Sequence, residues 1–89
     1  MKAIVTVVGK DRVGIIAGVC TKLASYNINV LDISQTVLQG YITMSMVTDI
    51  SEASLPLAEI AEQMEKVGSE FGMSVRIQRA DIFDAMHRI

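Results

Sequence analysis

An α+β sandwich of element order βαββαβ, a four-stranded antiparallel sheet with two helices on one face plus a short C-terminal helix, is the fold class this 89-residue sequence predicts. Three observations carry it. Four short runs alternate apolar and polar residues or are rich in β-branched side chains, two longer runs repeat at helical spacing, and a Gly-containing break separates the second and third strand runs. Two right-handed β-α-β crossovers folded on one sheet give the ferredoxin-like sandwich.

The first strand is Ala3-Ile4-Val5-Thr6-Val7-Val8, whose β-branched residues suit a buried pleated surface. Gly9-Lys10-Asp11-Arg12-Val13-Gly14-Ile15-Ile16 then joins it to a helix through a glycine-flanked polar turn. Asp11 is expected to cap that helix, and Gly14, in its first turn, lets another group approach the backbone. Free N–H groups at such an end suit a carboxylate or phosphate, although most strand-to-helix connections share the feature. The helix carries Val13, Ile16, Ala17, Cys20, Leu23 and Ala24 as the stripe expected to pack on the sheet. Gly18 within it either permits close packing or is merely tolerated. Tyr26-Asn27-Ile28-Asn29 ends it, with Asn27 suited to a left-handed backbone.

From Val30 the period is two, with Leu31, Ile33 and Val37 on one side and Asp32, Ser34 and Thr36 on the other, as in a half-buried strand. Gln39-Gly40 breaks it, and Ile42, Met44 and Met46 resume the alternation, which reads as a hairpin. Hydroxyl groups dominate the other side, so helices should cover one face of the sheet only. Pro56 in a first turn and Leu57, Ile60, Ala61, Met64, Val67 and Phe71 mark the second helix, which Gly72 stops. Met73, Val75 and Ile77 form the last strand. Residues 1–80 are therefore one domain, and 81–89 a helical extension whose Ile82, Met86 and Ile89 stripe should dock on a partner.

A domain this small buries only about 60–65% of the surface its unfolded chain exposes, and 51% of the residues are hydrophobic. A homodimer or higher homo-oligomer is expected, made through the first helix and the sheet edge at Val30 to Val37. Face-to-face sheet contact is a second geometry open to it. The net charge of −2, without a block of either sign, disfavours nucleic acid. No apolar run is long enough to span a bilayer and Met1-Lys2 leads straight into a strand, so a cytoplasmic protein without membrane contact is expected. Cys20 and His87 do not make a metal spacing, and neither metal nor cofactor is expected; Cys20 reads as a core residue.

Gly9-Lys10-Asp11-Arg12-Val13-Gly14-Ile15-Ile16, followed by Ile28-Asn29-Val30-Leu31-Asp32-Ile33-Ser34-Gln35, resembles the ACT domain, and most of all the small stand-alone type related to the glycine-cleavage repressor. The resemblance runs through Arg79. The family's usual Pro is replaced by Val13, which removes stiffness but neither a donor nor an acceptor needed in the site. The resemblance implies a regulatory domain, not an enzyme, that binds a small metabolite, most often an amino acid, at a dimer interface. The ligand carboxylate would lie on the backbone N–H groups of Val13, Gly14 and Ile15 while Asp11 holds the ammonium, with Lys10 and Arg12 beside them. Asn27, Ile28, Asn29 and Val30 would come from the second domain.

Blander readings stand beside these. Asp11 as a plain N-cap, Lys10 and Arg12 as solvated charges, and Asn27 and Asn29 as turn residues would need no ligand. A module that assembles with itself or an unidentified protein and senses nothing is the main alternative. An acylphosphatase-like enzyme is a remote one, because Asp11 beside Arg12 would repel a phosphoryl group. RNA binding on the open sheet would need stacked aromatics, and Tyr26, Tyr41, Phe71 and Phe83 mostly fall elsewhere.

Overall fold

The computed structural model describes residues 1–10 and 13–81. Its elements are β1 (Lys2–Lys10), α1 (Ile15–Ser25), β2 (Asn29–Leu38), β3 (Tyr41–Asp49), α2 (Leu57–Phe71) and β4 (Ser74–Arg79). They form the ferredoxin-like sandwich. The sheet order is β2-β3-β1-β4 with every pair antiparallel. Expectations about Ile82 to Ile89 lie outside the described residues.

One sheet face makes the core. Ala3, Val5 and Val7 of β1, Ile42, Met44 and Met46 of β3, and Val75 and Ile77 of β4 are buried against Ile15, Val19 and Leu23 of α1 and Ile60, Met64 and Val67 of α2. Thr48 continues the β3 row inside; its hydroxyl donates to the Ala3 carbonyl at 2.9 Å, which satisfies it without water. Gln39 and Gly40 both have positive φ, 52° and 81°, as a type I′ hairpin turn requires. Gly72 ends α2 at φ 69°, and Asn27, at φ 61°, takes the left-handed position after α1.

Gly18 resolves as a packing residue. A Cβ there would lie 3.0 Å from the Phe71 ring of α2. At Gly68 a Cβ would come 2.6 Å from the Met73 carbonyl, so α2 and β4 approach backbone to backbone.

Three expectations are corrected. Helix α1 starts at Ile15 with Gly14, not Asp11, at the N-cap, and Pro56 occupies the N-cap of α2. The buried stripe of α1 is Ile15, Val19 and Leu23; Val13 is 99% exposed, Ile16, Ala17 and Ala24 are exposed, and Cys20 is only half-buried at the edge of the core. The helix is apolar on two adjoining faces, and its true starting residue decides which one meets the sheet. Finally, β2 is not half-buried: in the single chain all of it except Val30 is exposed, including Ile33 at 44% and Val37 at 50%. A bulge between Val30 and Asp32 takes Leu31 out of the ladder, and the Asp32 carboxylate accepts the Ile33 N–H at 2.9 Å. Both features suit an edge strand.

Candidate functional site

The β1–α1 turn ends in a helix start open to solvent. Gly14 has φ 89° and ψ −4°, and its carbonyl accepts the Gly18 N–H at 2.8 Å. The N-cap residue, Gly14, makes no side-chain capping bond, so among the described residues its cap leaves the first N–H groups without that partner. A Cβ on Gly14 would meet nothing within 4 Å, which leaves the approach to this backbone clear. Lys10 ends β1 beside Tyr41, and Val13 projects into solvent. Asp11 and Arg12 lie outside the described residues.

The second segment, Asn27 to Val30, is built differently. Tyr26 caps the end of α1, the buried Ile28 anchors the segment in the core, and the Ile28 N–H returns to the Leu23 carbonyl at 3.1 Å. The Asn27 side-chain amide donates to the Glu52 carbonyl at 2.9 Å, and the Ser54 N–H donates to the Tyr26 carbonyl at 2.9 Å. These bonds tie the β3–α2 loop to the start of β2. Together they wall a hollow of about 320 Å³ lined by Asn27, Asn29, Asp49, Ser51 and Glu52. An adjoining one of about 420 Å³ adds Ala24 and Ile28. The Ser51 hydroxyl and backbone N–H both donate to Asp49, at 2.6 and 2.9 Å, and hold its carboxyl below the ordinary value of 3.8; the N-terminal ammonium, 3.7 Å away, acts in the same direction.

Sequence reasoning missed Asp49, Ser51 and Glu52. A hairpin counted outward from Gln39-Gly40 carries the signal for Asp49, because it brings the end of β3 opposite the start of β2. The bulge at Leu31 shifts the pairing by one, to Asn29 opposite Asp49.

The two segments sit at opposite ends of the sheet. Asn29 pairs with Asp49 and Asp49 with Lys2, whereas Leu38 pairs with Tyr41 and Tyr41 with Lys10. The nine-residue β1 thus separates them by roughly 26 Å at about 3.3 Å per residue. No single chain brings them together.

An apolar flank accompanies this separation. Gly18 faces α2, so Ile16 and Cys20, more than a third of a turn round α1, point away from α2 and toward the β2 edge. On β2 the residues opposite the buried Met46 and Ile42 are Ile33 and Val37, the two that the helices fail to cover.

A model of the ACT domain matches residues 2–78. The chain belongs to the ACT domain family. A UPF0237 protein of Listeria innocua is 47% identical over 89 residues, covering 100% of both chains. An ACT domain protein from Streptococcus pneumoniae has a solved structure that superposes with a TM-score of 0.81 at 44% identity, covering 94% of each chain. The regulatory subunit of aspartate kinase from Thermus thermophilus matches at TM-score 0.65 and 26% identity, over 86% of this ACT domain and 50% of that chain. A glycine cleavage system transcriptional repressor, matched at TM-score 0.74 and 20% identity over 89% of this chain and 45% of its own, shares the fold. Such domains are typically regulatory. Among the described residues no group of three or more His, Cys, Asp and Glu could hold a metal ion, and no described helix is long and apolar enough to cross a membrane.

Proposed function

We propose that this ACT domain is a regulatory module that binds an amino acid in a site shared by two copies. The separation of its two candidate segments carries the reading. If β2 of one copy lies antiparallel beside β2 of another about a two-fold axis, the start of each strand meets the end of its neighbour. Asn27 to Val30 of one copy then stands beside the turn from Lys10 to Ile15 of the other. The same placement covers Ile16, Ile33 and Val37, which a lone chain leaves wet.

In this site the backbone N–H groups at Gly14 and Ile15 receive a carboxylate, and Asp11 takes the ammonium. The two asparagines supply an amide wall. The aspartate kinase regulatory subunit, by its name a regulatory chain, supports the assignment by analogy.

The test is a thermal-shift screen against the common amino acids at fixed protein concentration, followed by titration calorimetry. A true ligand at 100 times its Kd raises stability by about 2.7 kcal/mol. If none of the twenty shifts the melting temperature, the domain is an assembly module without a ligand.

A further inference from the structure

Once the turn of one copy holds the α-carboxylate and α-ammonium of an amino acid, only the side chain is left to reach the other copy. The wall that the other copy brings at Asn27 to Val30 therefore reads that side chain. It is formed by two adjoining hollows, and Asn27, Asn29 and Glu52 line both; Asp49 and Ser51 complete the first, Ala24 and the buried Ile28 the second.

Hydrogen-bond donors on this wall are largely spent within it. The Asn27 amide donates to the Glu52 carbonyl, and the Ser51 hydroxyl and N–H both donate to one oxygen of Asp49. The Glu52 carboxylate, the second Asp49 oxygen and the Asn27 side-chain carbonyl are all acceptors. Among the described residues no Lys or Arg lines either hollow. The Met1 ammonium, 3.7 Å from Asp49, offsets one of the two negative charges. Glu52, which is exposed, enters no ion pair among the described residues. The wall is thus rich in acceptors, negatively charged, and held in place by its own bonds.

We infer that the ligand is an amino acid with a cationic side chain, of the lysine or arginine type, whose ammonium or guanidinium is received by Glu52 and Asp49; this rests on the shared site proposed above. An apolar side chain would strip water from two carboxylates and return no partner to them. An acidic one would bring a further like charge against them. A cation supplies the donors that the wall lacks. Between two copies, where the second chain excludes water, that pairing is stronger than at an open surface.

Titration calorimetry on the whole chain with lysine, arginine, norleucine, glutamate and cadaverine tests this. Norleucine keeps the chain of lysine without its terminal ammonium, and cadaverine keeps both amino groups without the carboxylate. Lysine or arginine should bind at least about tenfold more tightly than the other three, as one charged hydrogen bond allows. Glu52→Gln should weaken that binding about fivefold or more and leave the melting temperature of the free protein unchanged. Norleucine or glutamate binding as tightly as lysine, another amino acid binding while lysine and arginine stay silent, or unchanged affinity in Glu52→Gln overturns the inference and leaves the shared site standing. Cadaverine binding as tightly as lysine, or no binding by any common amino acid, overturns the shared site and this inference with it.

Discussion

Replacing Gly14 separates the structure from the sequence-based expectation by sign. In a helical first turn Gly→Ala would stabilise the chain by up to about 1 kcal/mol. At φ 89° the same change costs roughly 1–2 kcal/mol, because the Cβ of an L-residue crowds its own backbone in the left-handed region. The open space around this position removes any other contribution: a Cβ there meets nothing within 4 Å. The expected order of stability is Gly14, then Asn, which tolerates this backbone, then Ala, then the β-branched Val. Each kcal/mol lowers Tm by about 4–8 °C in a domain of this size, so Gly14→Ala should melt several degrees below wild type at matched concentration. An alanine variant as stable as wild type would refute the left-handed cap and with it the geometry of the open helix start. In calorimetry the Ala and Val variants should lose affinity beyond what their folding cost explains, because the added carbon stands in the approach of the ligand.

Gly68→Ala should destabilise by about 1–3 kcal/mol in urea unfolding despite its better helix propensity, since the new Cβ meets the backbone carbonyl of Met73 at 2.6 Å. Ile33→Glu should shift the dimerisation constant in sedimentation while leaving the fold intact, because Ile33 is already 44% exposed in one chain. The carboxyl of Asp49 is held below its unfolded value of 3.8, mainly by Ser51. Its contribution to stability is therefore present above that pH and lost as pH falls through the lowered value. The Tm difference between wild type and Ser51→Ala should accordingly be larger at pH 6 than below pH 3.

What the sequence makes legible follows from local rules. Gln39-Gly40, Gly72 and Asn27 announce their backbone because positive φ restricts residue choice, and the strict alternation of Ile42, Met44 and Met46 has one reading. The stripe of α1 does not, since Ile15, Val19 and Leu23 compete with Ile16, Cys20 and Ala24 and only the starting residue selects between them. The exposure of β2 is illegible for another reason. Its Ile33 and Val37 carry the pattern of a buried face, but both stay exposed beside α1 and α2. That pattern fits burial by a second copy. For the site, the glycine-flanked turn was readable as an exposed helix start, whereas Asp49, Ser51 and Glu52 required the register of a bulged hairpin.

Mixing two binding-deficient variants tests the shared site most directly, with Gly14→Ala damaging one wall and Asn29→Ala the other. Calorimetry is run on each alone and on a re-equilibrated equimolar mixture, using the amino acid returned by the screen. In a mixed dimer one site collects both substitutions and the other none, so the mixture should regain wild-type affinity at about a quarter of the wild-type site number by random pairing about a two-fold axis. A mixture that binds no better than its components would contradict a site built from two chains.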